Sequence, residues 1–330
     1  MADITRRELM ISAGIAAPAL LTACDARDRV EAADYPERDI QFVIPYAPGG
    51  GFDIYVRVVA PVMEKYLPRK VSIVPLNVAS GAGSRGVAQA YRARPDGYTM
   101  TILNIPGMFI LQAQQGTTAF DLDRFTWIGA MGEGEKYFIS VGANSPLKTF
   151  DDLKQLSAQR PVKLSVTGPE GTAYMAAVVG SELMGLRTQL ITGYRGSADY
   201  VVAAERGGSD AVVAALPATF PFRRGNQLRP LASFETKSSV PGIPDATSLG
   251  KPELDLIRVE RLVAAPPGTP PEAVNVLSTA LAKALVDPVV VKWAAENDVV
   301  MKPKTPQEAV AILNEQRAFF EKWKSSLSPS

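Results

Sequence analysis

The groups best placed to do chemistry in this chain are backbone groups on glycine loops. Tyr46-Ala47-Pro48-Gly49-Gly50-Gly51-Phe52-Asp53 sets three glycines just ahead of a segment with helical periodicity. Glycines let the backbone approach a ligand closely and turn its N–H groups inward, and a helix start favours an anion. The chemistry on offer is therefore anion binding, with Asp53 capping the helix or holding a water. No Lys-Ser or Lys-Thr follows the glycines, so this is not a Walker loop. Ser80-Gly81-Ala82-Gly83-Ser84-Arg85-Gly86 spells G-x-G-x-x-G between a strand and a helix, the setting a dinucleotide fingerprint requires. That fingerprint also wants an acidic residue at the end of the next strand. Asn104 stands there and offers no charged acceptor for ribose hydroxyls. The turn thus reads as an anion-binding turn or, alternatively, as the nucleotide site of an oxidoreductase. Thr167-Gly168-Pro169-Glu170-Gly171-Thr172 and Gly193-Tyr194-Arg195-Gly196-Ser197 are two further strand-to-helix turns with polar donors. The acids nearest the loops, Asp53, Glu170, Asp199 and Asp210, each also have a cap or ion-pair reading, such as Asp53 with Arg57 four residues on.

Composition narrows the choices. The chain has no histidine, so Ser-His-Asp and Cys-His catalysis and imidazole metal ligation are excluded. Its one cysteine cannot form an internal disulfide or a Cys-rich zinc site. A net charge of +1 supplies no broad basic field, which argues against a nucleic-acid partner. No catalytic residue, metal or cofactor is expected.

The elements that must hold these loops alternate regularly. Buried strands are expected at Asp39–Pro45, Val71–Leu76, Tyr98–Leu103, Trp127–Met131, Lys136–Val141, Lys163–Val166, Gln189–Thr192, Asp210–Ala214, Leu231–Phe234 and from Arg258. Helices are expected at Asp53–Leu67, Ser84–Ala93, Phe150–Ala158, Thr172–Leu186, Ser197–Arg206, Ala218–Arg224, Pro270–Val286, Pro288–Glu296 and Thr305–Leu327. Apolar strands alternating with helices indicate an α/β fold with parallel sheets covered on both faces. Ligands then bind outside the carboxyl ends of the strands. At 330 residues the chain is long enough for two such units.

The N-terminus reads as an address. Thr5-Arg6-Arg7-Glu8-Leu9-Met10 precedes an apolar run from Ile11 to Ala23, 13 residues and too short to span a bilayer. The arginine pair resembles a twin-arginine export signal. Leu21-Thr22-Ala23-Cys24 resembles a bacterial lipobox, which makes Cys24 the expected lipid attachment point. Asp25 after it resembles a signal for retention at the inner membrane. Residues 25–34 read as a flexible tether.

Several motifs in order carry a resemblance: Tyr35-Pro36, Ile44 to Asp53, Gly81-Ala82-Gly83, Pro95-Asp96-Gly97-Tyr98-Thr99, Phe125 to Gly129, Tyr194-Arg195-Gly196, Gly207 to Asp210 and Ala265 to Pro270. Together they resemble the Bug/TctC family, the periplasmic substrate-binding proteins of tripartite tricarboxylate transporters. The resemblance implies a two-lobed type II periplasmic-binding fold with lobe 1 at 35–137 and 258–330 and lobe 2 at 138–257. Each lobe would be a mainly parallel sheet flanked by helices, with the ligand cleft between them. It implies lobe closure on a carboxylate, whether a dicarboxylate, a tricarboxylate or an aromatic acid, held by backbone N–H groups and waters without a dedicated arginine. It implies a non-enzymatic, monomeric protein in the periplasm, anchored to the outer face of the cytoplasmic membrane and delivering to a permease. A sensor or scaffold role is the alternative within this class. The residues carried over are Ala47, Pro48, Gly49, Gly50, Gly51, Phe52, Asp53, Gly81 and Ala82 on one lobe and Gly171, Thr172, Tyr194 and Asp210 on the other, with Asn104 added. Phe52 stands where the pattern has a small polar residue. It forms either an aromatic wall of the site or packing under the loop.

Overall fold

The computed structural model describes residues 35–327 apart from 117, 118, 170 and 195. The segments read as an export signal and a tether, and Cys24 between them, lie outside the described residues, as do Glu170 and Arg195.

The first half alternates as its periodicity predicts: β1 (Ile40–Ile44), α1 (Gly51–Glu64), β2 (Ile73–Asn77), α2 (Ser84–Tyr91), β3 (Thr99–Ile105), α3 (Gly107–Gln115) and β4 (Thr126–Met131). β1 lies between β2 and β3, parallel to both. The chain then crosses on β5 (Glu135–Gly142) into a second unit: α4 (Phe150–Gln159), β6 (Val162–Ser165), α5 (Thr172–Met184), β7 (Thr188–Ile191), α6 (Ser197–Glu205), β8 (Ala211–Ala215), α7 (Leu216–Arg224) and β9 (Leu228–Ser233). It returns on β10 (Arg258–Ala265), followed by α8 (Pro271–Leu285), α9 (Pro288–Glu296), β11 (Pro303–Lys304) and α10 (Pro306–Trp323).

The result is an α/β fold of two lobes. Strand order is β2-β1-β3-β10-β4-β11 in the first and β7-β6-β8-β5-β9 in the second. Strands linked by helices are parallel, as the alternation demands. The crossing strands β5 and β10 enter antiparallel to their neighbours, so each lobe's sheet is mixed where mainly parallel sheets were expected. A return strand that arrives from the opposite lobe necessarily runs against the strands it joins. β5 and β10 pair with each other at the crossing, Glu135 opposite Val259 and Lys136 opposite Arg258.

One apolar cluster in the first lobe packs α1 and α8 on the sheet through Phe42, Ile44, Val56, Met63, Leu277 and Leu281, all essentially inaccessible. A second cluster fills the other lobe and runs on through Phe319 and Phe320 of α10. The α10 helix packs on β4, and the turn after it reaches α5, so the C-terminal segment braces both lobes.

Two differences from expectation bear on the site. The α1 helix starts at Gly51, ahead of the expected Asp53, so the last glycine of the loop supplies an N–H of its first turn. The α3 helix was not predicted. Met108, Phe109, Ile110 and Leu111 are all buried, so four apolar residues run together with no helical period and the polar ones come only from Gln112 on, and Pro106-Gly107 reads as a break.

Candidate functional site

Between the lobes lies a cleft of about 590 Å³. The first residues of four helices line it: Gly51 of α1, Gly107 of α3, Thr172 of α5 and Ser197 of α6. None of these four helices has a side chain bonded to its first N–H groups; their N-cap residues are Gly50, Pro106, Gly171 and Gly196. Among the described residues, three helices elsewhere are closed by side chains, while α2 and α8, with N-caps Gly83 and Pro270, are not. Thr149 with Asp152 and Thr305 with Glu308 form capping boxes on α4 and α10, and Asp287 caps α9. Helix starts left without caps present free N–H groups and the positive end of the helix dipole. Four such ends, two from each lobe, face one cavity.

The glycine loop takes a different part from the one expected. Gly49 N–H donates to Asp53 Oδ2 at 2.8 Å, and Gly50 N–H points to Ala47 O at 3.3 Å. These donors are spent inside the loop, and Ala47, Pro48, Gly49 and Gly50 form an exposed rim outside the cleft lining. The open donors begin one residue later, at Gly51 and Phe52. Asp53 is buried and turned away from the cleft. It accepts from Arg57 Nε at 2.9 Å, from Asn77 Nδ2 at 2.8 Å and from Gly49. Burial alone would raise its pKa, but Arg57, Gly49 and Asn77 together hold it down at about 2. Asp53 thus fixes the shape of the loop.

Asp210 is misplaced by the sequence reading. It sits beside Ala211 at the start of β8, whereas the opposite end of that strand, Ala215, lines the cleft. Its carboxylate takes Arg160 in a two-pronged pair at 2.7 and 2.8 Å and the Lys163 N–H at 2.8 Å. The Arg160 bond foremost, with Lys163, keeps its carboxyl below the ordinary range. Strand polarity decides this: residues entering a strand and residues leaving it stand at opposite edges of the sheet.

Ala82, Asn104, Gly171, Thr172 and Tyr194 do line the cleft, as does Phe52. Phe52 stacks on Tyr46 with centroids 4.4 Å apart. The ring also meets the Arg261 guanidinium, 4.7 Å from its centroid, and packs against both apolar clusters. Gly81 lies outside the lining. It and Ala82 have φ of 56° and 52°, a tight left-handed turn, and Gly86 packs where a Cβ would stand 2.7 Å from Pro45 Cα. The G-x-G-x-x-G pattern is therefore accounted for by turn geometry and close packing. Gly171 is held to glycine by Thr167, whose Oγ1 would be 2.1 Å from an added Cβ.

The floor of the cleft holds two residues that sequence reasoning missed, Glu135 of β5 and Arg261 of β10. Arg261 is 6% exposed and lies between the Phe52 and Tyr55 rings, 4.0 Å from the latter's centroid. Its Nη1 is 2.9 Å from Glu135 Oε1, which also accepts from Tyr55 Oη at 2.7 Å. Burial acts against the charged guanidinium, but Glu135 beside it raises the pKa above the ordinary arginine value. The signal was in Arg258-Val-Glu260-Arg261, where charges occupy both faces of an otherwise apolar strand. Arg258 and Glu260 pair with each other on one face, which leaves Arg261 on the other. Among the described residues, four buried polar atoms of the lining residues have no hydrogen-bond partner: Tyr46 Oη, Asn104 Oδ1, Thr167 Oγ1 and Arg261 Nε. Unsatisfied buried polar atoms are uncommon, and these four lie just beneath the cleft surface. The Tyr137 phenol, also on the lining, is pushed up to about 12 by burial and stays a neutral donor.

A second cavity of about 780 Å³ is lined by the end of α7, by β9 and by the end of α9. There Arg229 donates to the Ala143 and Leu147 carbonyls, and Arg223 stands 3.7 Å from Asp298.

The family model TctC, "Tripartite tricarboxylate transporter family receptor", matches residues 55–325. The chain belongs to this family. Among TctC relatives, Protein BugT of Bordetella pertussis is 27% identical over 321 residues, covering 92% of this chain and 90% of BugT. A solved structure described as a periplasmic transporter superposes with a TM-score of 0.75 at 26% identity, covering 89% of this chain and 100% of that one. An R. palustris protein, Rpa4515, solved with adipate, superposes with a TM-score of 0.75 at 24% identity, covering 89% of this chain and 98% of its own. This chain is thus a TctC-type periplasmic solute-binding protein with the two-lobed fold of its relatives.

Proposed function

We propose that the cleft captures a carboxylate-bearing small molecule by lobe closure and that the protein delivers it to a permease of the tripartite tricarboxylate type. The observation that carries this is the convergence of four uncapped helix starts, from both lobes, on one cavity. A carboxylate accepts hydrogen bonds at both oxygens and suits the positive end of a helix. An anion held from both sides favours the closed state by its differential affinity. With a net charge of +1, the attraction must come from these local dipoles and from Arg261. The adipate of Rpa4515 sits in a protein of the same fold, which agrees with this reading.

On this reading Gly51, Phe52, Ala82, Asn104, Gly171, Thr172 and Tyr194 touch the ligand, joined by Arg261. Ala47, Pro48, Gly49, Gly50, Gly81 and Asp53 shape the rim, and Asp210 takes no part. The lobes comprise 35–137 with 258–330, and 138–257. The protein acts without catalysis, as a monomer in the periplasm, exported by its N-terminal signal and tied to the membrane through a lipid on Cys24.

A thermal-shift screen against mono-, di- and tricarboxylates and aromatic acids tests the binding. A ligand at 100 times its Kd adds about 2.7 kcal/mol to stability, enough to raise Tm by several degrees. No shift across the panel overturns the reading. Mass spectrometry of the membrane fraction tests the anchor: a diacylglycerol on Cys24 is expected, and a Cys24→Ala protein still in the membrane contradicts it.

A further inference from the structure

The Glu135–Arg261 pair is an unusual thing to find on the floor of an anion site. Its net charge is zero, so it adds little general attraction, yet it is carefully built. Glu135 Oε1 is saturated by Tyr55 Oη at 2.7 Å and Arg261 Nη1 at 2.9 Å. Glu135 Oε2 carries no hydrogen bond, and the residue lines the cleft. The guanidinium plane is fixed between the Phe52 and Tyr55 rings. Its Nε is buried with no acceptor. Its Nη2 lies 3.5 Å from where a Cβ on Gly51 would stand, so the guanidinium is at the first turn of α1. One ion pair therefore presents the Nη2 donor beside an anion-favouring helix start and, next to it, the Oε2 acceptor of Glu135.

Building on the carboxylate reading, we propose that Glu135 and Arg261 read a proton donor on the carbon next to the ligand's carboxylate, so that the cleft selects 2-hydroxy or 2-amino carboxylates over their unsubstituted counterparts. A carboxylate over the α1 start accepts from Arg261 Nη2. The adjacent carbon then faces Glu135. A hydroxyl or ammonium there donates to Oε2, whereas a bare methylene leaves that carboxylate desolvated without a partner. A second carboxylate on the same carbon meets the like charge of Glu135 and is rejected. Hydroxyl and ammonium satisfy the same acceptor, and the ammonium gains the ionic term as well.

Calorimetric titration of the purified protein with matched acids tests this: malate and aspartate against succinate, and phenyllactate and phenylalanine against 3-phenylpropionate. The donor-bearing member of at least one set is expected to bind about tenfold or more tighter than its bare counterpart, the order of one hydrogen bond to a charged group. Glu135→Gln is expected to cut that ratio several-fold, more for the ammonium than the hydroxyl, with the bare acid's affinity unchanged or improved. Tyr55→Phe, which frees Glu135 from its anchor, is expected to lower the ratio too and serves if Glu135→Gln does not fold. Equal binding within every set, or a ratio that both variants leave untouched, overturns the inference while the carboxylate reading stands. Binding of no acid at all overturns the carboxylate reading itself.

Discussion

At the scale of single residues, charge is handled in two ways in this molecule. Asp53 uses its carboxylate to fold the glycine loop. Replacing it with alanine strands the Gly49 N–H and the Asn77 amide, and is expected to cost about 1–3 kcal/mol in a urea titration. The pH dependence follows from its depressed pKa. The carboxylate's contribution is present above the unfolded value of 3.8 and is lost as pH falls toward about 2. The stability difference between wild type and Asp53→Asn should therefore shrink across that window; a constant difference contradicts it. Arg261 and Glu135 instead form a buried pair. Arg261→Met alone leaves Glu135 uncompensated and is expected to cost about 3–5 kcal/mol, with Arg261→Met plus Glu135→Leu costing clearly less. Denaturant unfolding of the three proteins decides it. Neither role was fully legible beforehand. The Asp53 link to its loop followed from its position at a helix start, but Arg261 is separated from the Gly49–Gly51 loop by some two hundred residues of chain, and only the sheet register brings β10 beside β5.

At the scale of elements, what marks the site is the meeting of four uncapped helix starts at one cleft, since α2 and α8 are uncapped as well but do not line it. Gly196 is the N-cap of α6, has extended φ of −173°, and has nothing within 4 Å of an added Cβ. Gly196→Asp should close that helix start, raising stability by a few tenths of a kcal/mol. The same carboxylate should weaken ligand carboxylate binding by about tenfold or more, because it occupies the donors and adds like charge. Tm and Kd measured on one preparation check both signs. A variant more stable and equally tight in binding would show that α6 does not touch the ligand. Thr149→Ala, at the α4 cap outside the cleft lining, should cost about 0.5–2 kcal/mol and leave Kd alone. The strand-helix alternation was readable throughout, and α9 falls on the expected Pro288–Glu296. What periodicity could not show was α3, which opens with four consecutive buried apolar residues, and with it the first-turn Gly107 against which the Asn104 amide packs, its Nδ2 2.6 Å from a would-be Cβ.

At the scale of the whole molecule, β5 and β10 are both the crossing between lobes and the carriers of Glu135 and Arg261. A ligand bound at that floor sits where relative motion of the lobes is smallest, while α5 and α6 bring the second lobe's donors down on it. Contacts already span the lobes: Gln114 Nε2 donates to Pro169 O at 2.8 Å, and Arg223 approaches Asp298 at 3.7 Å. Small-angle scattering should show a smaller radius of gyration with ligand than without; an unchanged radius contradicts closure. The family resemblance made the two-lobed plan readable from short motifs. It did not foretell the charged floor, which depends on residues outside those motifs.

The central claim is that helix starts and Arg261 make this an anion cleft. The most direct measurement compares each acid that binds with its neutral carboxamide, for example succinate with succinamide, by calorimetry at one pH and salt concentration. The account predicts measurable binding for the acid and none for the amide of the same shape. Equal affinities, or a preference for the amide, would contradict it.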